Sequence, residues 1–313
     1  MTVRVDHFAP PSGYIGTLQE AVSMTRRTTL RMGGPARWLA QPEDEKSLAT
    51  LMRSLTPGTP GLALGGGSNM LVADEGFDGI MLDLTAKMND IQKHAAEGGE
   101  WLIRVGGGAS TRTVSHYSRR NGLSGLEFLA GIPGSVGGAL KMNAGAYGSE
   151  MQNVLVWAEL IDVHGQCHRR PVEALGLGYR KSAIPDGWIV ASTLLRLHRD
   201  DPERIRRRIR EMNQKRRRSQ PLRYPSAGSV FKNPPEGPLA WELIDRAGLR
   251  GASEGAVQIS EQHSNFFINR GGARTRDMLA LIDCARERVL AESGVRLELE
   301  LKVIGSGGVR RDL

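Results

Sequence analysis

Apolar residues recur along this chain of 313 residues with two spacings, one typical of helices and one typical of strands. After Pro42, three acidic residues precede apolar residues at intervals of three and four, which predicts a helix through Leu48, Leu51 and Leu55. The same reasoning predicts further helices at 111–121, 203–215, 241–247 and 275–293. Short apolar runs between turn residues predict strands at 61–64, 79–84, 101–105, 155–163, 188–197, 257–260, 265–269 and 296–304. Because helices and strands are interleaved with few regular strand–helix–strand units, the pattern favours an α+β fold.

Proline and glycine mark two places where the chain is expected to leave regular structure. Residues 1–20 contain a Pro-Pro pair and two glycines and are expected to form a loose lead-in. Five prolines between Pro221 and Pro238 indicate a domain boundary. A chain of this length is expected to form two or three domains.

Positive charge is concentrated in one segment. The formal net charge is +8, and Arg204–Arg218, with nine basic residues and the single acidic residue Glu211, carries +8 by itself. The rest of the chain is neutral overall, so the charge does not indicate a general nucleic-acid surface. The segment also lacks aromatic residues on which bases would stack, and no nucleic-acid partner is expected.

Cysteine usage and hydropathy indicate the compartment. Cys167 and Cys284 are far apart and form no metal-ligand spacing, so we expect reduced thiols and no metal site. The N-terminal residues lack the apolar core of a secretion signal, and no run of 18 apolar residues occurs. We therefore expect a cytoplasmic protein that does not bind a membrane.

Glycine, with 39 residues, departs most clearly from average composition. The chain has no Gly-Lys pair and therefore no Walker loop. Two Gly-x-Gly starts, at Gly65 and Gly106, are followed by Met70 and Thr111 where a Rossmann fingerprint needs its third glycine. Neither standard phosphate motif explains the glycines.

The first unusual glycine loop follows a predicted strand and comprises Gly65–Asn69. Consecutive glycines allow several main-chain N–H groups to point at one anion, while the Ser hydroxyl and Asn amide add neutral hydrogen bonds. The loop suits a pyrophosphate, and a glycine-rich hairpin turn accounts for it equally well.

The second glycine-rich segment, Gly131–Gly148, holds six glycines, three alanines and no acidic residue. Small residues at this density let the main chain lie against a flat ring or a pyrophosphate. A tightly packed glycine crossover is the alternative, but the additional motif Asn143–Tyr147 favours a cofactor cradle.

Six motifs, in order, resemble those of the UDP-N-acetylenolpyruvoylglucosamine reductase (UDP-N-acetylmuramate dehydrogenase) family. They are Arg27–Ala36, Gly65–Val72, Gly131–Gly148, Tyr179–Ser182, Pro225–Pro234 and Glu300–Gly305. The resemblance implies a bacterial enzyme of peptidoglycan precursor synthesis, which reduces UDP-N-acetylglucosamine enolpyruvate to UDP-N-acetylmuramate with NADPH through FAD. The short span between Arg180 and Ser229 implies the shorter type of the family, which lacks a Tyr-loop insertion.

The resemblance also implies a domain plan. A two-part FAD-binding domain of the vanillyl-alcohol-oxidase (PCMH) type would span 21–200 and divide near residue 85. A smaller C-terminal α/β substrate-binding domain would span 201–313. Its last strand would return Glu300 to the active site.

Three catalytic roles follow from the resemblance. Arg180 would bind the substrate carboxylate through a guanidinium that cannot lose its proton. Glu300 would act at the same carboxylate, and we expect it protonated or hydrogen-bonded through burial beside like charge, because a bare carboxylate would repel the substrate. Glu298 is its competitor on the same strand face. Ser229 would donate a proton to carbon, although a turn serine bonded to nearby backbone is the common alternative.

Cofactor and substrate positions follow in the same way. No histidine stands in the glycine loops as a covalent anchor, so non-covalent FAD is expected. The residues expected to hold FAD are Gly65, Gly66, Gly67, Ser68, Asn69, Gly131, Ile132, Pro133, Gly134, Ser135, Gly138, Ala139, Asn143, Ala144 and Gly145. Tyr147, Lys232 and Asn233 are expected to bind the UDP-sugar. Arg216–Arg218 are candidates for UDP and NADPH phosphates, and Arg204–Arg210 for a solvated helix face.

The alternative function is another FAD-dependent oxidoreductase of the same flavin fold, acting on a hydroxy acid or sugar. Such an enzyme needs a base, often His or Tyr, over the flavin, and it does not need Arg180, Ser229 and Glu300 together. Under either function we expect a monomer.

Overall fold

The computed structural model describes residues 8–56, 58–94 and 100–310. These residues form three lobes, each built around its own sheet. We call residues 16–84 the first lobe, 91–219 the second lobe and 226–301 the third lobe. The first seven residues of the expected lead-in lie outside the described residues.

The first lobe contains a four-stranded sheet of order β1-β2-β5-β3, in which β2 and β3 run parallel to β5. Its elements are β1 (Gly16–Ser23), β2 (Pro35–Pro42), α1 (Glu45–Ser54), β3 (Gly61–Leu64), β4 (Met70–Val72) and β5 (Phe77–Asp83). The Asp44 carboxylate accepts a hydrogen bond from the Ser47 N–H at 2.7 Å, which fixes the start of α1. Leu48 and Leu51 of α1 are buried. Residues 16–20 pair with β2 and are not loose, because their antiparallel ladder outweighs the turn-forming glycines around them.

The second lobe is built on an antiparallel sheet of order β12-β11-β13-β7-β6, and β8 pairs with the end of β13. Its strands are β6 (Ile91–His94), β7 (Trp101–Gly106), β8 (Leu123–Ser124), β9 (Gly145–Ala146), β10 (Ser149–Glu150), β11 (Leu155–Ile161), β12 (Cys167–Pro171) and β13 (Ile189–Arg199). Its helices are α2 (Thr111–Arg120), α3 (Val136–Lys141) and α4 (Pro202–Ser219). Four 3₁₀ turns complete the two lobes at Met24–Arg26, Glu127–Gly131, Met151–Asn153 and Val172–Leu175.

Helix α4 packs on the second lobe, although the expected domain plan assigns it to the C-terminal domain. Its buried residues Ile205 and Ile209 face the protein, and Arg208 Nε lies 3.0 Å from Glu127 Oε1. Contact with the third lobe comes at the other end, where Gln262 donates to the Arg218 carbonyl at 3.0 Å. The chain therefore leaves the second lobe after α4, where the prolines begin.

The third lobe combines a four-stranded antiparallel sheet of order β14-β17-β16-β15 with two helices. Its elements are β14 (Ser226–Ser229), α5 (Ala240–Arg246), β15 (Ser253–Glu254), β16 (Val257–Ile259), β17 (Phe266–Asn269) and α6 (Thr275–Ser293). Leu30, Met32 and Leu71 of the first lobe belong to the same buried cluster as its core. The first and third lobes thus share apolar packing.

The chain then returns to the first lobe through β18 (Lys302–Gly305) and β19 (Gly308–Val309). Strand β18 runs parallel to β4, with Lys302 opposite Met70. The strand predicted at 296–304 is shorter than expected, since residues before Lys302 contact the segment that follows β14 through an isolated bridge between Phe231 and Leu299 and neighbouring hydrogen bonds. Among the described residues, no helix has the length and apolar character that crossing a membrane requires.

Candidate active site

A cleft of about 970 Å³ is bordered by all three lobes. Arg180, Ser229 and Glu300 all line it, together with residues from both glycine-rich segments. Every residue expected to hold FAD lines the cleft except Asn143. The structure therefore brings together what the sequence predicted from segments more than 200 positions apart.

The two glycine-rich segments lie directly against each other. A Cβ on Gly66 would lie 2.8 Å from the Gly134 Cα, and one on Gly65 would lie 2.4 Å from the Ser135 Oγ. Gly67 has a φ of +58° and would place a Cβ 2.1 Å from the Arg27 carbonyl oxygen. Close packing thus explains these three glycines, against main chain at Gly66 and Gly67 and against the Ser135 side chain at Gly65.

Gly138 differs from them, because a Cβ there would meet only the Ser135 Oγ at 3.5 Å. This residue is exposed and lines the cleft. Its missing side chain leaves space in the cleft and is not required by packing. Tight packing accounts for some glycines of the two segments, whereas Gly138 leaves open space at the cleft.

Main-chain N–H donors remain unpaired where the two glycine-rich segments contact each other. Within the described residues, no N–H of 65–69 donates a hydrogen bond, and neither do those of Gly134 and Ser135. Groups of unpaired main-chain N–H donors form binding sites for anions such as pyrophosphate. The donor set fits the diphosphate of FAD.

Arg180 is held in an unusual conformation at the cleft. Its φ is +53°, which is uncommon for a residue with a side chain. The guanidinium Nε lies 2.8 Å from Glu300 Oε1, and Nη2 donates to the Gly145 carbonyl at 3.3 Å. The guanidinium also lies over the Tyr179 ring, 5.2 Å from its centroid. These contacts fix the cation next to the second glycine-rich segment.

Glu300 reaches the cleft through main-chain contacts on two sides. Its N–H donates to the Val230 carbonyl at 2.9 Å, and its own carbonyl accepts from the Asn69 amide at 3.0 Å. Its side chain is 17% exposed, and this partial burial raises the pKa of the carboxyl group above the ordinary value of 4.5. The pair with Arg180 and the charges of Lys232 and Lys302 oppose that rise.

The raised pKa of Glu300 has a different cause from the expected one. The sequence analysis expected burial beside like charge, whereas every charged neighbour that shifts this pKa is a cation. Glu298, the nearest candidate for like charge, has a side chain that is 74% exposed and pairs with Lys232. Burial alone raises the pKa of Glu300.

Ser229 ends β14 directly before Val230, the residue that holds Glu300. Gly228, with a φ of +80°, turns the chain at this point. The hydroxyl of Ser229 makes no hydrogen bond with any described residue, so the alternative of a turn serine bonded to nearby backbone does not hold here. Its hydroxyl is available in the cleft.

Comparison with known proteins supports this geometry. Residues 220–304 match the family model "UDP-N-acetylenolpyruvoylglucosamine reductase, C-terminal domain", and residues 36–170 match the model "FAD binding domain". The reductase of Magnetococcus marinus is 48% identical over 97% of both chains, and that of Gluconobacter oxydans is 43% identical over 95% of both. The crystal structure of the Thermus caldophilus enzyme is 38% identical, with a TM-score of 0.77 over 92% of this chain and 99% of that one.

The chain belongs to the UDP-N-acetylenolpyruvoylglucosamine reductase family. Membership confirms the predicted α+β fold, with an FAD-binding domain followed by the family's C-terminal domain. Ser229 and Glu300 lie within the C-terminal match, both glycine-rich segments lie within the FAD-domain match, and Arg180 lies between the two. Between Arg180 and β14, the strand that ends at Ser229, the structure has the strand β13 and the helix α4.

The structure does not bring two predicted site residues to the cleft. Asn143 is fully buried, and its side chain donates to the Gly178 carbonyl at 3.2 Å and accepts from Gln152 N–H at 3.0 Å. The Asn233 side chain accepts from Ala240 N–H at 3.1 Å, next to the start of α5. Both asparagines use their amides to hold main chain in place.

The other two expected substrate residues do line the cleft. Lys232 is paired with Glu298, and Tyr147 is 45% exposed. The Tyr147 hydroxyl donates to the Met212 carbonyl of α4 at 2.8 Å. This bond ties the second glycine-rich segment to α4.

Arg216 is the residue of the basic run that reaches the cleft, whereas Arg217 and Arg218 do not line it. Its Nε donates to Gln220 Oε1 at 2.7 Å, and its side chain passes close to Gly131. Burial lowers its pKa, and it has no carboxylate partner among the described residues. Arg216 lies seven residues after Ile209, so the helical period of the apolar stripe was a signal that it faces inward.

Proposed function

We propose that this protein is an FAD-dependent reductase that converts UDP-N-acetylglucosamine enolpyruvate to UDP-N-acetylmuramate with NADPH as reductant. The observation that carries the proposal is the pair of Arg180 and Glu300 beside the free hydroxyl of Ser229, in the cleft of the glycine loops. In this role the protein would act in the cytoplasm, in peptidoglycan precursor synthesis, as a monomer. FAD would be bound non-covalently.

The unpaired N–H groups of 65–69 and of Gly134 and Ser135 would hold the FAD diphosphate, and Gly138 would leave room beside it. When bound there, FAD would supply hydride to the terminal methylene carbon of the substrate's enolpyruvyl group. The chain's own side chains then have two tasks. They must stabilise negative charge at the substrate carboxylate and deliver a proton to the adjacent carbon.

Arg180 would stabilise the negative charge. Its guanidinium is permanently protonated and offers several donors, so it can bind a carboxylate and remain bound as that group becomes an enediolate. The contacts with Glu300 and the Gly145 carbonyl hold it before substrate arrives, which limits the reorganisation that the reaction requires.

Glu300 would act as a protonated carboxylic acid at the same group. A carboxylate there would repel the substrate, whereas a carboxylic acid donates a hydrogen bond to it. The raised pKa of Glu300 favours that form, and burial of the site by the substrate would favour it further.

Ser229 would donate the proton to carbon. A serine hydroxyl is a weak acid, but an enediolate is a strong base, so the transfer is feasible when a cation stabilises the alkoxide. Lys232, three residues along the chain and in the same cleft, is the cation available for this purpose.

Arg216 would pair with a phosphate of the substrate or cofactor. Burying a cation without a counter-charge costs free energy, and a phosphate oxygen is the partner its guanidinium suits best. Tyr147, whose hydroxyl bonds the second glycine-rich segment to α4, would form the side of the cleft that the UDP-sugar contacts.

Acceptor specificity tests the proposal. The purified protein should show flavin absorption and should consume NADPH only when the enolpyruvyl UDP-sugar is present. The alternative, a hydroxy-acid or sugar oxidoreductase of the same flavin fold, predicts flavin reduction by such a substrate and no turnover of the enolpyruvyl ether. That result would replace the proposed function.

A further inference from the structure

A second cavity of about 430 Å³ lies between α2 and α4, and it shares no lining residue with the active-site cleft. We call it the α2–α4 cavity. Its lining residues are His116, Arg119, Arg206, Ile209, Arg210, Asn213, Gln214 and Arg217. Four of the eight are arginines and none is acidic. Three arginines of the basic run on α4, Arg206, Arg210 and Arg217, therefore line this cavity.

The arginines on the two sides of α4 differ in their ion pairs. Arg208, which faces the second lobe, pairs with Glu127 and Asp200. Arg210 and Arg217, in the cavity, make no side-chain hydrogen bond or ion pair with a described residue. Carboxylates thus accompany the arginine that holds the fold, whereas Arg210 and Arg217 have no carboxylate partner among the described residues.

The α2 side of the cavity repeats this pattern. Arg119 of α2 has no ion pair or side-chain hydrogen bond with a described residue. Across the cavity, Arg206 of α4 pairs only with Glu203 on the same helix, at 3.4 Å. Burial and the neighbouring guanidiniums, Arg119 among them, lower the pKa of His116. Of the four arginines that line the cavity, Arg119, Arg210 and Arg217 therefore have no carboxylate partner among the described residues.

The remaining lining residues add hydrogen-bond donors and a buried apolar side chain. The side-chain amides of Asn213 and Gln214 form no hydrogen bond with a described residue, and Ile209 is buried beneath them. Guanidinium groups bind phosphate through paired N–H donors, and amides extend such a network. The cavity offers many donors to one ligand that carries several negative charges.

The size and composition of the cavity limit the classes of ligand that it can bind. Its volume falls in the range of roughly 300–1,000 Å³ that small-molecule sites occupy. No Phe, Tyr or Trp lines it, so bases have no stacking surface of the kind that single-stranded nucleic acid requires. The phosphate chain is the part that the cavity can recognise.

We propose that the α2–α4 cavity binds a small polyphosphate anion, either free or as the di- or triphosphate chain of a nucleotide. The site is separate from the cleft that holds the reaction, and it recognises phosphate groups through the guanidiniums of Arg119, Arg210 and Arg217.

Calorimetric titration of the FAD-loaded protein with sodium tripolyphosphate, at constant ionic strength, tests the proposal. The variant Arg210→Gln/Arg217→Gln should weaken binding about tenfold or more, because it removes charge-assisted hydrogen bonds. The matched control is Arg204→Gln/Arg207→Gln, which removes the same charge from the same helix. Those two arginines are exposed and line neither cavity, so the control should bind within about twofold of the wild type.

Arg119→Gln provides a second test from the opposite helix and should also weaken binding. The flavin spectrum and the thermal midpoint of each variant verify that the fold is retained. Equal losses in the test and control variants would show a general charge effect and overturn the proposal. So would sulfate binding as tightly as tripolyphosphate at the same ionic strength.

Two further ligands, ATP and a single-stranded oligonucleotide, distinguish whether the cavity binds a free polyphosphate, a nucleotide or a nucleic acid. ATP should bind within about threefold of tripolyphosphate, since no Phe, Tyr or Trp lines the cavity to hold the base. Binding of ATP without binding of tripolyphosphate would contradict recognition of the phosphate chain. Binding of a single-stranded oligonucleotide in preference to both would assign the surface to nucleic acid and would also overturn the proposal.

Discussion

At the scale of single residues, the account depends most on the hydroxyl of Ser229, which has no other task in the described structure. We expect Ser229→Ala to leave flavin reduction by NADPH near normal. Reoxidation of the flavin by substrate should slow by about 100- to 10,000-fold, as loss of a general acid implies. Rapid-mixing absorbance measures the two half-reactions separately.

Ser226→Ala is the matched control, because Ser226 lies on the same strand and does not line the cleft. It should leave both half-reactions unchanged. Equal slowing of the two half-reactions in Ser229→Ala would reject the role of proton donor.

Glu300 makes stability depend on pH in a predictable direction. Its pKa is raised in the folded state, so its proton stabilises the fold below the ordinary value of 4.5, and this contribution is lost as pH rises through the folded pKa. Glu300→Gln cannot ionise. We therefore expect the free energy of unfolding of the variant, relative to wild type, to increase from about pH 4.5 to pH 8.

Denaturant titrations of both proteins at several pH values measure this difference. All other titrating groups are shared, so their contributions largely cancel. A difference that is constant or falls with pH would show that burial does not hold the proton on Glu300.

The sequence predicted catalytic side chains better than supporting ones. Arg180, Ser229 and Glu300 lie in motifs with distinctive neighbours, and the structure brings them together. Asn143 and Asn233 lie in equally distinctive motifs, but their amides bond main chain, because a buried amide that positions a loop looks the same in sequence as one that binds a ligand. Hydrogen-bond partners are a property of the fold.

At the scale of elements, the glycine-rich segments make opposite predictions for two glycines. Gly138 lies within α3, where alanine is favoured over glycine by about 0.5–1 kcal/mol. The added methyl group has room in the protein but occupies the cleft. Gly138→Ala should raise the stability of the FAD-free protein and weaken FAD binding by about tenfold.

Gly66→Ala is the comparison, since its methyl group would meet main chain at Gly134. This variant should lose both stability and FAD affinity. Thermal unfolding of the FAD-free protein and fluorescence titration with FAD give the two quantities. A Gly138→Ala protein that binds FAD as well as wild type would place the cofactor elsewhere.

Helices were predicted more accurately than the last strand. Residues 275–293 form α6 as expected, because their apolar spacing reports one buried face. Residues 296–301 alternate in the same way as a strand, yet among the described residues they form only an isolated bridge, between Leu299 and Phe231. Leu297 and Leu301 are buried in the third lobe. The alternation of apolar and polar residues therefore indicates which side chains are buried, and it does not indicate which backbone groups pair with another strand.

At the scale of the whole molecule, the first and third lobes are expected to unfold together. Leu71 belongs to a strand of the first lobe but is buried in the core of the third, and β18 pairs with that same strand. Leu71→Ala should reduce the free energy of unfolding by about 2–5 kcal/mol, because it leaves a cavity in the shared core. Val163→Ala, at an exposed position, should cost far less.

Hydrogen exchange during denaturation distinguishes shared from separate unfolding of the lobes. Amides of β2 and of β17 should lose protection over the same denaturant range, and Leu71→Ala should shift both ranges together. Protection lost first in the third lobe, with the first lobe unchanged, would show that the shared core does not couple them. No sequence pattern predicted this coupling, since it depends on contacts between distant segments.

The most direct test of the central claim is anaerobic mixing of the NADPH-reduced protein with UDP-N-acetylglucosamine enolpyruvate, followed by flavin absorbance and by analysis of the product. The account predicts that the flavin is reoxidised and that UDP-N-acetylmuramate forms in equal amount. Flavin that stays reduced in the presence of this acceptor, while another substrate reoxidises it, would contradict the account.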